Sequence, residues 1–316
     1  MSIRRYRLLC AIVVMIGLLA ACGQPTANDD SFGAVANTPH EHSGEAGDNH
    51  QDQTAQAATT TLQPVLATSE VVVGPNRLAI GLLEKNVPIA DAAQTRVHVR
   101  YYKLNGQQAT LAGEEDARYY GEGLGPRGTF IVHPSFDSAG AWGMEVEAQR
   151  PNQPVTTHRM QLDVAEQGSA PTIGSDAPRS KTPTAADVQD LKTITSSTEP
   201  DPRLYQTSID QAVTSGKPSL ILFATPGFCQ TAVCGPGVDV LGKLVDTFGD
   251  KIVPVHVEIY QYPFEKLQQV PAMQEWGLKT EPWLFLVDKN GKVAGRYEGG
   301  ITFEELQPDV EKLLAQ

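Results

Sequence analysis

Cysteine is scarce in this chain. Four occur in 316 residues, at Cys10, Cys22, Cys229 and Cys234, too few for the disulfide-dense frameworks of small secreted domains. Basic residues are also in deficit. Twenty-five Lys and Arg against 37 Asp and Glu leave a formal net charge of −12. A chain this acidic lacks the electrostatic footprint that DNA or RNA binding needs, and it offers no basic surface to anionic lipid. No internal repeat occurs. The N-terminal apolar run, Leu8 to Ala21, falls short of the ~20 residues of a comfortable membrane span. Apolar residues overall are not lacking, at 41 %, and the length suffices for two ordinary domains with real cores.

The first 21 residues read as a signal peptide. A positive stretch, Met1-Ser2-Ile3-Arg4-Arg5-Tyr6-Arg7, precedes the short apolar run, which ends Leu19-Ala20-Ala21-Cys22. This ending resembles the bacterial lipobox. The resemblance implies cleavage before Cys22, a diacylglycerol on its thiol and acylation of the new amine. Two or more acyl chains give stable attachment, so the expectation is an exported protein anchored at the extracytoplasmic face of the cell membrane. The competing reading is an uncleaved signal anchor. With processing, Cys10 leaves and Cys22 is capped. Cys229 and Cys234 are then the remaining thiols, in an oxidising compartment where a close pair readily forms a disulfide.

Residues 22–62 are small and polar without apolar periodicity, and read as a disordered tether. His40, His42 and His50 lie among its acidic residues, but a stretch with no fixed geometry does not pre-form a metal site. Residues 63–166 change to period two. Arg96-Val97-His98-Val99-Arg100-Tyr101 alternates; Trp142, Met144, Val146 and Ala148 share a face, as do His158, Met160, Leu162 and Val164. With turn clusters at Asn105-Gly106 and Gly123-Leu124-Gly125-Pro126, this predicts an antiparallel β-sandwich. It loosely resembles the small immunoglobulin-like modules of bacterial envelope proteins. His98 and His158 are strand positions, and a scaffold or partner-binding role is expected. Residues 167–201, rich in Ser, Thr, Pro and Ala, read as a linker or loosely packed extension.

Residues 202–316 alternate helix and strand signals. Ser208 with Gln211 forms a capping box. Ser219 to Phe223 is a strand apolar on both faces, and Cys229 and Cys234 follow. A helix carries Val238, Leu241, Leu244, Val245 and Phe248 on one side. Ile252 to Ile259 and Trp283 to Val287 are strands, the second joined through Asn290-Gly291 to Val293–Tyr297 in a hairpin. A last helix opens at Thr302, with Glu305 at the capping-box position and Phe303, Leu306, Val310 and Leu313 along one face.

This order, together with Cys229 just after the first core strand, Trp276 to Trp283 leading through Pro282, Asn290-Gly291 and Gly299-Gly300, resembles the thioredoxin family. The resemblance spans Lys217 to Leu314. Beside the antiparallel sandwich read from residues 63–166, it implies a C-terminal α/β thioredoxin-like fold, and so a two-domain chain. It also implies a cis peptide at Pro282, with Cys229 as attacking thiolate, Cys234 as resolving thiol, and a site that needs no cofactor. The family's signature is Cys-x-x-Cys, whereas here four residues separate the cysteines. Residues five apart on a helix lie roughly 8–9 Å apart and point to different sides, outside disulfide range. Cys229 to Cys234 is therefore expected to be a loop or irregular turn, with the main helix starting near Gly235-Pro236. The aspartate that many members carry in the preceding strand is also missing. Glu281 is the nearest substitute, either as a proton relay that raises a thiol pKa or as a solvated loop residue.

The leading expectation is an envelope thiol–disulfide oxidoreductase or redox carrier whose partners are envelope protein thiols or disulfides. The alternatives are a copper-binding, metallochaperone-like protein and a non-catalytic interaction protein. His256, the single histidine after the motif, sits on a strand and argues less for copper. A purely structural disulfide closing so small a loop would stabilise little.

Overall fold

A computed structural model describes residues 33–34, 62–106 and 108–316. The stretch read as a signal peptide, Cys22, and His40, His42 and His50 lie outside the described residues. These described residues all fall within one compact unit. Among the described residues no helix is long and apolar enough to cross a membrane.

The N-terminal part is all β. One antiparallel sheet runs Thr156–Val164, Gly140–Gln149, Arg96–Asn105, Gln108–Asp116. A second runs Leu62–Leu66, Leu78–Glu84, Thr129–Val132, Arg118–Tyr120. Alternation does the work that period two implies: Val97, Val99, Tyr101, Trp142, Met144 and Val146 turn inward and share one core with Leu78, Ile80, Leu82, Phe130 and Val132 of the other sheet. Within the stretch read as a disordered tether, Gly33–Ala34 pairs in parallel with Met160 and Gln161. It covers the otherwise open edge of Thr156–Val164, whose backbone groups need partners.

The C-terminal part is α/β. Its sheet runs Val253–Glu258, Ser219–Ala224, Trp283–Val287, Val293–Glu298; the first pair is parallel and the other two are antiparallel. The central strand Ser219–Ala224 is wholly buried because helices cover both faces. Leu220, Leu222 and Ala224 pack on α2 (Cys234–Phe248) and α4 (Phe303–Leu314), through Leu241, Leu244, Leu306 and Val310. Ile221 and Phe223 pack on α1 (Ile209–Ala212) and α3 (Pro271–Glu275), through Ile209, Met273 and the adjoining Trp276. Ser208 and Gln211 cap α1 as expected, with the Ser208 amide donating to Gln211 Oε1 at 3.3 Å. At α4 half of the expected box forms: Thr302 Oγ1 accepts from the Glu305 amide at 3.2 Å. The Glu305 carboxylate instead takes Arg77 of the β-rich part, at 2.5 and 2.9 Å.

Residues 167–201 are not a free linker. Ala170 and Ala177 join one core and Ile194 the other, while the Ala185 amide donates to Tyr205 O at 2.8 Å. Small apolar side chains scattered among Ser, Thr and Pro have no period to announce this burial. The stretch packs as a strap across the α/β part, and its end, Ser196, reaches the cysteine site.

Candidate thiol site

Strand Ser219–Ala224 delivers the chain to a turn, Thr225 to Val233, that carries Cys229. Phe228 closes back on Thr225 O and Ala232 on Cys229 O, and Ala232 takes a left-handed φ of 54°. Only then does α2 begin, at Cys234, one residue before Gly235. The two cysteines thus do not share a regular helix, and their sulfurs fall within 4.8 Å of each other. Both are free thiols, Cys229 half-exposed and Cys234 buried.

The start of α2 explains the polarity of the pair. The first-turn amides of a helix lack intrahelical acceptors and present partial positive charge. The Cys234 amide spends its proton on Cys229 Sγ, at 3.3 Å. The Thr231 hydroxyl lies 3.3 Å from the same sulfur. The Cys229 thiol is pulled down to about 5, first by a hydrogen bond from the Cys234 thiol, then by Thr231 and the amides of Cys234 and Val233, against burial. Cys234 moves the other way. Its bond to Cys229, its burial and the Glu281 charge all hold its proton on.

Glu281 is in the site. The Cys234 thiol donates to Glu281 Oε2 at 3.1 Å, so its proton has two acceptors, a sulfur and a carboxylate. Burial pushes Glu281 up to about 7, with the charges of Cys229 and Glu258 adding to it. The Glu281–Pro282 peptide is cis, and Pro282 O accepts the Gly299 amide at 2.9 Å.

Beneath the site lies a layer that the sequence did not announce. Glu258 ends a strand and is 4 % exposed. Its Oε2 accepts from the Ser196 amide at 2.8 Å and the Ser196 hydroxyl at 2.5 Å, and burial raises it. Ser196 Oγ also accepts the Gly227 amide, at 2.9 Å, and lies 3.3 Å from Thr225 Oγ1. A Cβ on Gly227 would sit 2.9 Å from Ser196 O, so only glycine lets the strap lie this close under the turn. Fully buried Thr225 joins the two levels: its hydroxyl meets Glu258 and its amide faces Glu281 and Cys234. The one available signal was an acidic residue closing an otherwise apolar strand.

His256 is not a part of the cluster. Its Nδ1 lies 2.7 Å from Tyr205 OH and its Nε2 3.2 Å from Ala224 O, and burial lowers it to about 4, holding it neutral. His98 pairs with Asp116 and Glu114 on the sandwich surface, and His158 is a strand residue lowered by burial. Around Cys229 the surface is aromatic. Phe228 meets Tyr260 and Phe264 edge-on, and Tyr262, 63 % exposed, packs on Phe264.

No protein-family model and no curated protein matches the chain. Solved structures do. A thiol:disulfide interchange protein of the thioredoxin family from Chlorobium tepidum TLS is 16 % identical, over 46 % of this chain and 99 % of its own, with a TM-score of 0.33. The dsbF of MTB, in mixed oxidized and reduced forms, is 21 % identical, over 33 % of this chain and 85 % of its own, with a TM-score of 0.28. Trgpx in its apo form is 16 % identical, over 45 % of this chain and 97 % of its own, with a TM-score of 0.28.

Proposed function

We propose that this chain is an exported, membrane-anchored thiol–disulfide oxidoreductase or redox carrier, lipidated at Cys22, with its immunoglobulin-like sandwich holding the α/β part among envelope proteins. The observation that carries the reading is the asymmetry of the pair: a half-exposed Cys229 sulfur receiving the first amide of α2, beside a buried Cys234 whose thiol proton has a carboxylate acceptor. A structural disulfide needs neither a stabilised thiolate nor a proton acceptor; an exchanging dithiol needs both.

The Cys229 thiolate attacks one sulfur of a partner disulfide; the S–S bond breaks, a mixed disulfide forms, and the partner's other sulfur leaves as thiolate. Glu281 takes the Cys234 proton. The Cys234 thiolate attacks Cys229 Sγ, closing the Cys229–Cys234 bond and releasing the partner's second thiolate. The partner gains two electrons and this chain loses two; the reverse sequence oxidises a partner dithiol. Pro282 follows Glu281 across the cis peptide, and its role in this reading is to shape the groove in which the partner's chain lies.

Titrating the reduced protein against a glutathione redox buffer tests this. A reversible two-thiol transition, with Cys234→Ser trapping a partner covalently at Cys229, is expected. A disulfide that resists reduction while the fold stays intact overturns it. Mass analysis of the mature N-terminus, with and without Cys22→Ala, tests the anchor.

One observation favours a second reading. Cys229 Sγ, Cys234 Sγ and a Glu281 oxygen lie within 4.8 Å of one another, and two thiolates suit Cu(I). Stoichiometric Cu(I) uptake by the reduced protein, lost in Cys234→Ser, would favour a copper carrier; no uptake removes that reading.

A further inference from the structure

The β-rich part reaches the segment that carries Glu281 through a buried carboxylate. Glu298 closes strand Val293–Glu298 and is 6 % exposed, so its oxygens need donors. Ser69, from the far end of the chain, gives its amide to Oε2 at 2.8 Å and its hydroxyl to Oε1. Thr280 gives its hydroxyl to the same Oε1 at 2.5 Å. With its proton committed to Glu298, Thr280 Oγ1 accepts Trp283 Nε1 at 3.0 Å. Thr280 precedes Glu281, and the Gly299 amide holds Pro282 O on the other side. The segment carrying Glu281 is thus pinned by Glu298 and Gly299, and Glu298 is itself pinned by Ser69.

Glu70, the next residue, reaches the start of the same segment. One oxygen takes Arg296 and the other the amide of Ser169. Ser169 in turn lies so close to Gly277 (φ +63°) that a Cβ there would fall 2.0 Å from Ser169 O. Two consecutive residues of the β-rich part therefore fix both ends of Gly277–Pro282.

We infer that the β-rich part is a working part of the thiol site: Ser69, acting through Glu298 and Thr280, positions Glu281 against the Cys234 thiol. Ser69 is a positioning residue, and the inference rests on the proposed redox reading only for its biological use. A hydrogen bond weakens steeply with distance and angle. Loosening Thr280 therefore removes Glu281 as the second acceptor of the Cys234 proton, and that proton then serves the Cys229 thiolate alone. The groups facing Glu281 are Cys229, Cys234, Glu258 and the Thr225 amide.

The test is the alkylation rate of Cys229 by iodoacetamide against pH, on the reduced full-length chain in detergent, beside its melting curve. Ser69→Ala should move the midpoint downward by about half a pH unit, and Ser69→Thr, which keeps the hydroxyl, should restore it. An unchanged midpoint with a lowered melting temperature overturns the inference and leaves Ser69 as interface glue. Should Ser69→Ala not fold, Thr280→Val cuts the same link from the other side, and an unchanged midpoint there overturns it equally. Alkylation needs no partner disulfide. A shifted midpoint in a protein that fails the redox titration would therefore sink the oxidoreductase reading and spare this one.

Discussion

The outer face of the sandwich and the floor beneath the cysteines both crowd carboxylates, and they treat them in opposite ways. On the sandwich, Arg100 reaches Glu114, Glu145 and Glu147 at 3.1, 3.0 and 2.7 Å, and Arg159 reaches Glu145 at 2.6 Å. Burial alone would raise Glu145; the two guanidinium groups more than offset it and hold it below the usual carboxylate range. Under the thiols, Glu258 and Glu281 meet hydroxyls, amides and sulfur, with no cation among the groups that bear on them, and both are raised. Carboxylates fixed by arginine are permanently ionised and serve the fold. Carboxylates left without a cation near a nucleophile keep their protons to higher pH, and Glu281, raised to about 7, can hold or release one near neutrality, which is the mark of a site.

The sharpest break of this comparison is Cys229→Ser, which should abolish reduction of a model disulfide while leaving the melting curve almost unmoved. Next is Arg77→Ala. The Arg77–Glu305 pair joins the two parts, with side chains only 7 % and 5 % exposed, and removing one partner of a buried pair costs about 3 kcal/mol, read as a lowered denaturant midpoint. Third is Glu281→Gln, which should slow closure of the mixed disulfide about a hundredfold in rapid-mixing kinetics. It also carries a pH signature. Glu281 titrates near 7 in the folded chain against its ordinary 4.5, so the folded state holds its proton longer than the unfolded state. Wild-type stability therefore falls as pH rises from 4.5 to 7. Glu281→Gln should be the more stable protein above pH 7, and the advantage should vanish below about 4.5. Smallest is Arg118→Ala. Its pair with Glu304 is 63 % and 53 % exposed, and the denaturant midpoint should report under about 1 kcal/mol. An effect as large as that of Arg77→Ala would mean that exposure does not separate the two kinds of pair.

Much of the α/β part was legible because its signals are local. Apolar runs flanked by turn residues located Ser219–Ala224 and Trp283–Val287, and Asn290-Gly291 located the hairpin between the last two strands. For a pair that bonds, the Cys229–Cys234 spacing implied an irregular turn ahead of α2. The Thr302 cap was legible as well, but the destination of the Glu305 side chain was not, because Arg77 lies 228 residues away. The strap from 167 to 201 misled for the related reason that Ser, Thr and Pro describe a loop equally well whether it floats or packs.

By itself, then, the sequence determined the order of strands and helices and which two thiols stand near each other, since periodicity, caps and spacing act over a few residues. Tertiary structure alone decided how those thiols differ. The low-pKa Cys229, the proton held on Cys234 and the raised Glu281 come from one helix start and from Thr225, Ser196, Glu258 and the Ser69–Glu298–Thr280 link. These groups are brought together from six separate stretches of chain. Burial and charge are properties of what surrounds a group, and only folding supplies the surroundings.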